Sequence, residues 1–367
     1  MRIEATRLTG GPYQRGFAHG RRLKAQVCAH LAAWLDSLPP DGPGKGEGYA
    51  RAMLRDTNFR PAISAWAPDL LEEVDGLADG AEAPRELIFA LQLLDEEWAY
   101  RARRQAEFEP LEKCSSLAVV TEEGATWIGQ NMDLGGYTDG FQVALRLERD
   151  GDKPGALMFS TAGMIGLMGV NAAGLGVCVN AIPQLPSAPE GVPVAFVVRR
   201  LLQCRDLAEA SRIVLAIPHA TNQHYLIAEA GAARAFEAST AGVAEYHAPD
   251  PARIFHTNHP LGADKGRPEP ESQRENTVAR LASLEQRLSG GRPALAEVQA
   301  ALSACDDPRH PVCRLLSPEG GLIGFTTGSI ISALRPGAAA VESWISAGPP
   351  SLGGYSRFEV AREAAAA

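Results

Sequence analysis

The chain has 367 residues, enough for one large domain or two ordinary ones. With 45% hydrophobic and 22% charged residues it has the composition of a normal globular protein. A net charge of -9 with no basic run argues against capture of nucleic acid or anionic lipid.

The first residues, Met1 to Thr6, lack the apolar core of a signal peptide, and no apolar run reaches membrane-spanning length, so the expected compartment is the cytoplasm. Near the N-terminus a Gly10-Gly11-Pro12 turn leads into a predicted helix from Gln14 towards Leu35. Gly16 and Gly20 share one face of it, which predicts close packing, and His19 between them reads as structural. Pro39 to Gly48 is a Pro/Gly-rich loop. Leu70, Val74 and Leu77 recur at helical spacing, with Gly80 where a C-terminal cap would stand. A further helix has Pro84 near its start and Leu87, Leu91 and Leu94 as its stripe. It runs into Asp95-Glu96-Glu97-Trp98, whose acids read as a solvated face in preference to a metal site. Arg101 to Pro110 reads as a surface linker, so residues 1 to about 110 are expected to be mostly helical.

At Cys114 the period changes from helical to two. Cys114 opens a strand, Glu122-Glu123-Gly124 turns it, and a second strand returns to deliver Asn131 and Asp133 near the start of the first. Phe141, Val143, Leu145 and Leu147 alternate with polar or small residues as a half-buried strand, and Ala156 to Ser160 is another. The glycine-rich run from Ala162 to Asn180 lacks a Gly-Lys-Ser/Thr and a βαβ setting, so it reads as two short strands joined by a turn at Asn171 to Gly174 beside a pocket. Helices follow at about Val194 to Gln203 and Leu207 to Ala216, then strands at His224 to Glu229 and Arg234 to Ala238. A strand from Arg253 ends in the polar turn Thr257-Asn258-His259-Pro260. Helices at about Glu275 to Leu288 and Ala294 to Ser303 precede strands at Phe325 to Leu334 and Ala340 to Ser346. Strands, then helices, then strands predict a layered α+β fold rather than a doubly wound one. The loops Pro183 to Pro193 and Pro260 to Pro270 are expected to shape the pocket.

The six cysteines are Cys28, Cys114, Cys178, Cys204, Cys305 and Cys313; their wide spacing and the lack of a Cys-x-x-Cys pair argue against a disulfide framework or a zinc site. Cys114 is singled out by its place at a strand start after a linker. A thiol attacks as thiolate, with an ordinary pKa of about 8.5, and needs a base. An N-terminal α-amino group, at about 7.7 to 8.0, is suited to that role near neutrality. Cleavage between Lys113 and Cys114 would place such an amine on the nucleophile itself, and the same thiol can make the cut by attacking the Lys113 carbonyl. Asn258 is the side-chain candidate for an oxyanion donor, Asp133 for orienting the amine, and Arg314 for fixing Asp133. Two other constellations stay open: Cys114 with His256 or His259 as a thiolate–imidazolium pair, and the two histidines as part of a metal site.

The ordered motifs resemble the C45 peptidase family, autoproteolytic acyltransferases and hydrolases of the N-terminal-nucleophile superfamily typified by acyl-coenzyme A:6-aminopenicillanic acid acyltransferase. They are Gly10 or Gly11 through Pro12, Gly16, His19 and Gly20; Glu72-Glu73 through Gly76, Ala78, Gly80 and Ala81; Lys113-Cys114-Ser115-Ser116; Gly129-Gln130-Asn131-Met132-Asp133; Gly169 through Asn171 to Gly174-Leu175; and Thr257-Asn258-His259. The pattern departs at Lys113, where that family has Gly or another small residue. The resemblance implies a four-layer αββα N-terminal-nucleophile fold and one structural domain. Residues 1–113 would be a helical α fragment, and 114–367 a β fragment that stays associated with it. It implies Cys114 as nucleophile for self-cleavage and catalysis, with Asp133, Asn258 and Arg314 in support. The substrate would be a small amide or acyl-thioester, with no metal or organic cofactor, and a homo-oligomer is compatible with it. The alternatives are a peptide, aminoacyl or lactam hydrolase without acyl transfer, and an unprocessed binding protein of the same fold.

Overall fold

The computed structural model describes residues 3–40, 45–105, 114–263, 266–317 and 324–362. Strand β1 (Ala5–Leu8) precedes helices α1 (Pro12–Arg22), α2 (Lys24–Ser37), α3 (Gly46–Asp56), α4 (Arg60–Trp66), α5 (Pro68–Ala81), α6 (Arg85–Leu91) and α7 (Leu94–Gln105). Strands β2 (Ser115–Val120), β3 (Thr126–Leu134), β4 (Gln142–Leu147), β5 (Ala156–Thr161), β6 (Met168–Asn171) and β7 (Gly176–Ala181) come next, then α8 (Val194–Leu201) and α9 (Leu207–Ala216). Strands β8 (Gln223–Glu229), β9 (Ala232–Ser239), β10 (Gly242–Tyr246) and β11 (Arg253–His256) lead to α10 (Glu271–Arg287) and α11 (Leu295–Leu302). Strands β12 (Phe325–Leu334) and β13 (Ala340–Ala347), a short helix α12 (Pro350–Gly353) and β14 (Ser356–Ala361) complete the described chain.

Among the described residues the strands form two sheets, of order β1-β4-β5-β6-β7-β8-β9-β10 and β11-β2-β3-β12-β13-β14. Pairing is antiparallel except between β1 and β4. The sheets face each other through β2 and β3 against β7 and β8, and β12 against β5 and β6. Helices α8 and α9 cover the outside of the first sheet, and α10 and α11 the outside of the second. The result is four layers, helix–sheet–sheet–helix, the α+β architecture expected from the sequence.

Period two in β2 sorts its side chains between two cores. Leu117 and Val119 join Leu284, Leu288, Val298 and Leu302 beneath α10 and α11. Cys114 and Ala118 belong to the larger core, which runs from the N-terminal helices to the space between the sheets.

The N-terminal helices show where local sequence was misleading. One helix from Gln14 to Leu35 was expected; the chain instead breaks at Leu23, whose N–H donates to His19 O, and starts afresh as α2. Gly80 is not a cap. Helix α5 ends at Glu82, in the left-handed region with φ 55°. Gly80 lies inside the helix, where a Cβ would stand 2.2 Å from Phe17 O. Gly76, Gly16 and Gly20 are equally confined, with a Cβ 2.1 Å from Tyr13 O, 1.8 Å from Glu73 O and 2.1 Å from Leu77 O respectively. Two pairs of glycines four residues apart thus bring the backbones of α1 and α5 into contact. Helix α7 also extends through Gln105, where a linker from Arg101 was expected; residues 106–113 lie outside the described residues.

Candidate active site

Strands β2 and β3 pair Ser115 with Asn131, so Cys114 lies beside Met132 and its Sγ is 3.6 Å from Met132 Sδ. On the other side, β11 pairs His256 with Ser116. Two residues beyond that pair come Cys114 on β2's approach and Asn258 after β11, and both line one pocket between the sheets. Its remaining walls come from Met132, Leu134, Gly166, Leu167, Val179 and Ala181, from Val194, Ala195 and Val198 of α8, and from Asp95, Trp98 and Gln223. Lys113 lies outside the described residues.

Each residue from Gln130 to Asp133 has its own task, set by alternation along β3. Gln130 faces the other sheet and clamps it, accepting from Val179 N–H at 2.9 Å and donating to Val179 O. Asn131 faces outward and donates to Leu302 O and Val312 O at 2.7 and 3.0 Å, fastening the end of α11. Met132 returns to the pocket. Asp133, 1% exposed, accepts from Thr326 Oγ1 at 2.7 Å. The register of β12 shifts between Thr326 and Gly328, a bulge that re-aims Thr326 beside this carboxylate. Arg314 reaches Asp133 by the same route: its backbone N–H donates to Thr326 Oγ1 at 2.8 Å, and its carbonyl accepts from Thr326 N–H at 2.9 Å.

The side chain that sequence reasoning missed is Arg280 on α10. It is fully buried and donates to Cys114 O at 2.5 Å, Ser115 Oγ at 2.8 Å, Asn258 Oδ1 at 2.7 Å and Asn276 Oδ1 at 3.0 Å. Desolvation lowers its pKa to about 10, while the charges of Asp133 and Cys114 act in the opposite sense. It therefore stays a cation near neutrality. Because Arg280 has no acceptor, it fixes which end of the Asn258 amide is oxygen. Asn258 Nδ2 then donates to Ala181 O at 2.9 Å, while its backbone N–H donates to Thr277 Oγ1 at 2.8 Å. The Asn258 side chain thus bridges α10 and β7 instead of capping its own turn. A faint signal for Arg280 existed: with Thr277 and Leu284 it occupies the inward stripe of its helix.

The histidines are engaged elsewhere. His256 Nε2 is 2.8 Å from Glu237 Oε1 and its Nδ1 2.9 Å from Thr257 O, and His259 Nδ1 is 3.0 Å from Thr277 Oγ1. Neither lines the pocket at Cys114, which argues against the thiolate–imidazolium alternative. Among the described residues no group of three or more His, Cys, Asp or Glu is arranged to hold a metal ion. His19 is structural, as expected: it is buried, accepts from Gly163 N–H at 3.2 Å, and burial lowers its pKa to about 4.

Two further expectations fail. The acids of Asp95-Glu96-Glu97 do not form a solvated face, since Glu96 and Glu97 are each 1% exposed. Glu96 Oε1 accepts from Val194 N–H and Thr221 Oγ1, both at 3.0 Å; Glu97 Oε1 accepts from Tyr49 at 2.8 Å; and Asp95 Oδ1 accepts from Gln223 Nε2 at 2.6 Å. Burial drives the Asp95 and Glu96 carboxyls above their ordinary range. The loops 183–193 and 260–270 do not wall this pocket over most of their length; they meet behind it, where Gln184 Nε2 donates to Asn258 O at 3.0 Å and Arg267 N–H to Gln184 O at 2.8 Å. No helix among the described residues is long and apolar enough to cross a membrane.

The arrangement presents a thiol and an amide N–H in the lining of a mostly apolar pocket, with a buried cation bonded to both residues, a set suited to acyl transfer. Comparison with known sequences agrees in kind. The family model for acyl-coenzyme A:6-aminopenicillanic acid acyl-transferase matches residues 120–319, a stretch that holds Asp133, Asn258, Arg280 and Arg314 and begins just after Cys114. The 40 kDa form of acyl-coenzyme A:6-aminopenicillanic-acid-acyltransferase from Emericella nidulans is 27% identical over 330 residues, covering 88% of this chain and 87% of its own length. Penicillin V acylase from Agrobacterium tumefaciens aligns with a TM-score of 0.35 and 13% identity, over 68% of this chain and 99% of that one.

Proposed function

This chain belongs to the acyl-coenzyme A:6-aminopenicillanic acid acyl-transferase family, and on that footing we propose that it is a self-cleaving cysteine amidohydrolase or acyltransferase. The observation that carries the reading is the convergence of Cys114 and Asn258 on one pocket, joined by Arg280, which donates to both, with Asp133 on the neighbouring strand. In maturation the Cys114 thiol adds to the Lys113 carbonyl. Collapse of the adduct breaks the peptide bond, moves the acyl group to sulfur and frees the Cys114 amine. Water then hydrolyses the thioester, restoring the thiol and leaving Lys113 as a carboxylate.

In turnover the thiolate attacks an amide or thioester carbonyl. An amide NH2 has two donors; one from Asn258 goes to Ala181 O, which leaves the second, with a backbone N–H, for the oxyanion. The Cys114 amine takes the thiol proton and returns it to the leaving group. Asp133, held by Thr326 and through it by Arg314, orients that amine as it becomes an ammonium. Water or an acceptor amine resolves the acyl-thioenzyme. The substrate is a small amide or an acyl-thioester, and the fragments 1–113 and 114–367 stay associated.

Purified wild type should run on a denaturing gel as two fragments, the larger beginning with Cys114 by N-terminal sequencing, and Cys114→Ala as one full-length band. Active wild type with an intact 113–114 link would overturn the proposal. Amide product from an acyl-enzyme offered an amine separates transfer from hydrolysis alone.

A further inference from the structure

The turn that carries Asn258 follows β11 of one sheet and is gripped by a buried carboxylate from the other. Glu237 stands on β9 and is 1% exposed. Its Oε1 accepts from His256 Nε2 at 2.8 Å and from Leu261 N–H at 2.6 Å. Its Oε2 accepts from Gly262 N–H at 2.9 Å and from Ala263 N–H at 2.6 Å. The first donor precedes Thr257-Asn258-His259-Pro260, and the other three follow it. Burial alone would raise this carboxyl; His256 and the backbone N–H groups of Leu261 and Ala263 outweigh it and hold it below its ordinary range. A charge kept out of water is costly, and a loop that only joined β11 to α10 would not need one.

We infer that Glu237 is a positioning residue: by clamping the chain on both sides of Asn258 it sets the place of the amide N–H that meets the oxyanion. This deepens the reading of Asn258 as oxyanion donor and Cys114 as nucleophile, and rests on it. The imidazole and three backbone N–H groups converge on two oxygens, and an ionised carboxylate can accept from all of them. Glutamine has the same shape but a single acceptor oxygen. Whichever way its amide turned, the NH2 end would face two of those donors, and the turn would have to shift.

The test compares two reagents at Cys114 in full-length chains whose residues 110–113 are replaced by a factor Xa site, so that the same cut frees Cys114 in every variant. With p-nitrophenyl butyrate the thiolate adds to the ester carbonyl, p-nitrophenolate leaves and the acyl group stays on sulfur, a path that passes through an oxyanion. With iodoacetamide the thiolate displaces iodide to form a carbon–sulfur bond, and no oxyanion arises. Rates are read from p-nitrophenolate release and from the mass of the Cys114 peptide. Asn258→Ala should slow acylation roughly 10²-fold or more and Glu237→Gln about tenfold or more, while both alkylate at the wild-type rate. In the Asn258→Ala background Glu237→Gln should cost nothing further, because its effect runs through Asn258. Glu237→Asp takes the same role if the Gln variant yields no folded protein. Acylation unchanged by the Glu237 variant, equal loss with both reagents, the same further loss without Asn258, or failure of both variants to fold makes Glu237 merely structural; each overturns the inference and leaves Cys114 and Asn258 standing. Acylation unchanged in Asn258→Ala overturns the oxyanion assignment with it. Failure of either reagent to label wild-type Cys114 overturns the nucleophile assignment itself.

Discussion

Arg280 carries its charge where solvent does not reach, and three groups of the site depend on it. Truncation to Met would leave Cys114 O, Ser115 Oγ and Asn258 Oδ1 without their shared donor and free the Asn258 amide to turn. Arg280→Met should lower kcat by roughly 10²- to 10³-fold, the size of losing one oxyanion donor, with a smaller change in KM. Arg280→Lys should fall between, because an ammonium restores the charge but not the planar fork that spans these partners. Steady-state kinetics beside thermal unfolding separates this from simple loss of fold. The same residue marks the limit of sequence reasoning. Cys114, Asp133 and Asn258 could be named because strand starts and polar turns are local features. Arg280, Glu96 and Glu97 were passed over because charged residues on helices usually face water, and only tertiary packing shows that these do not.

Among the elements, α1 and α5 depend on glycine more than any other pair. A methyl at Gly16 would stand 1.8 Å from Glu73 O, which is backbone and cannot swing aside. Gly16→Ala should therefore destabilise at or above the usual overpacking range of roughly 1–3 kcal/mol, and the loss should appear as a lowered melting temperature. The displacement would also reach the pocket. Glu73 bonds Arg15 at 3.1 Å and Arg199 at 2.7 Å, and Arg199 donates at 2.6 Å to Ile165 O, next to the pocket residue Gly166. Burial alone would raise the Glu73 carboxyl; Arg199 and then Arg15 outweigh it and hold it below its ordinary range. The close packing at Gly16 and Gly20 was legible from their spacing. Its other half was not, because a glycine near the end of a helix imitates a cap, and Gly80 was read as one.

For the whole molecule, the succession of helices, strands, helices and strands was enough to predict layers. Period two located most interior strands of both sheets. What escaped were the edge strands β1 and β10, of four and five residues, which carry too few alternations to register, the edge strand β14 and the one-turn helix α12 near the C-terminus, and helices α3 and α4, which follow a Pro/Gly-rich loop. The larger core ignores the proposed cut: Trp34, Leu77 and Ile88 from before it are buried in one cluster with Phe159, Phe196 and Tyr225 from after it. Under the proposed cleavage, folding of the precursor is therefore a first-order event, whereas mature protein, once unfolded in urea, would have to reassemble from two separate polypeptides. After dilution, recovery of cleaved enzyme should slow as protein concentration is lowered, while native signal in uncleaved Cys114→Ala should return at a rate independent of concentration. Under the proposed cleavage such a molecule is made once: the severed link would record a folding event that the finished enzyme, scattered in dilute solution, cannot readily repeat.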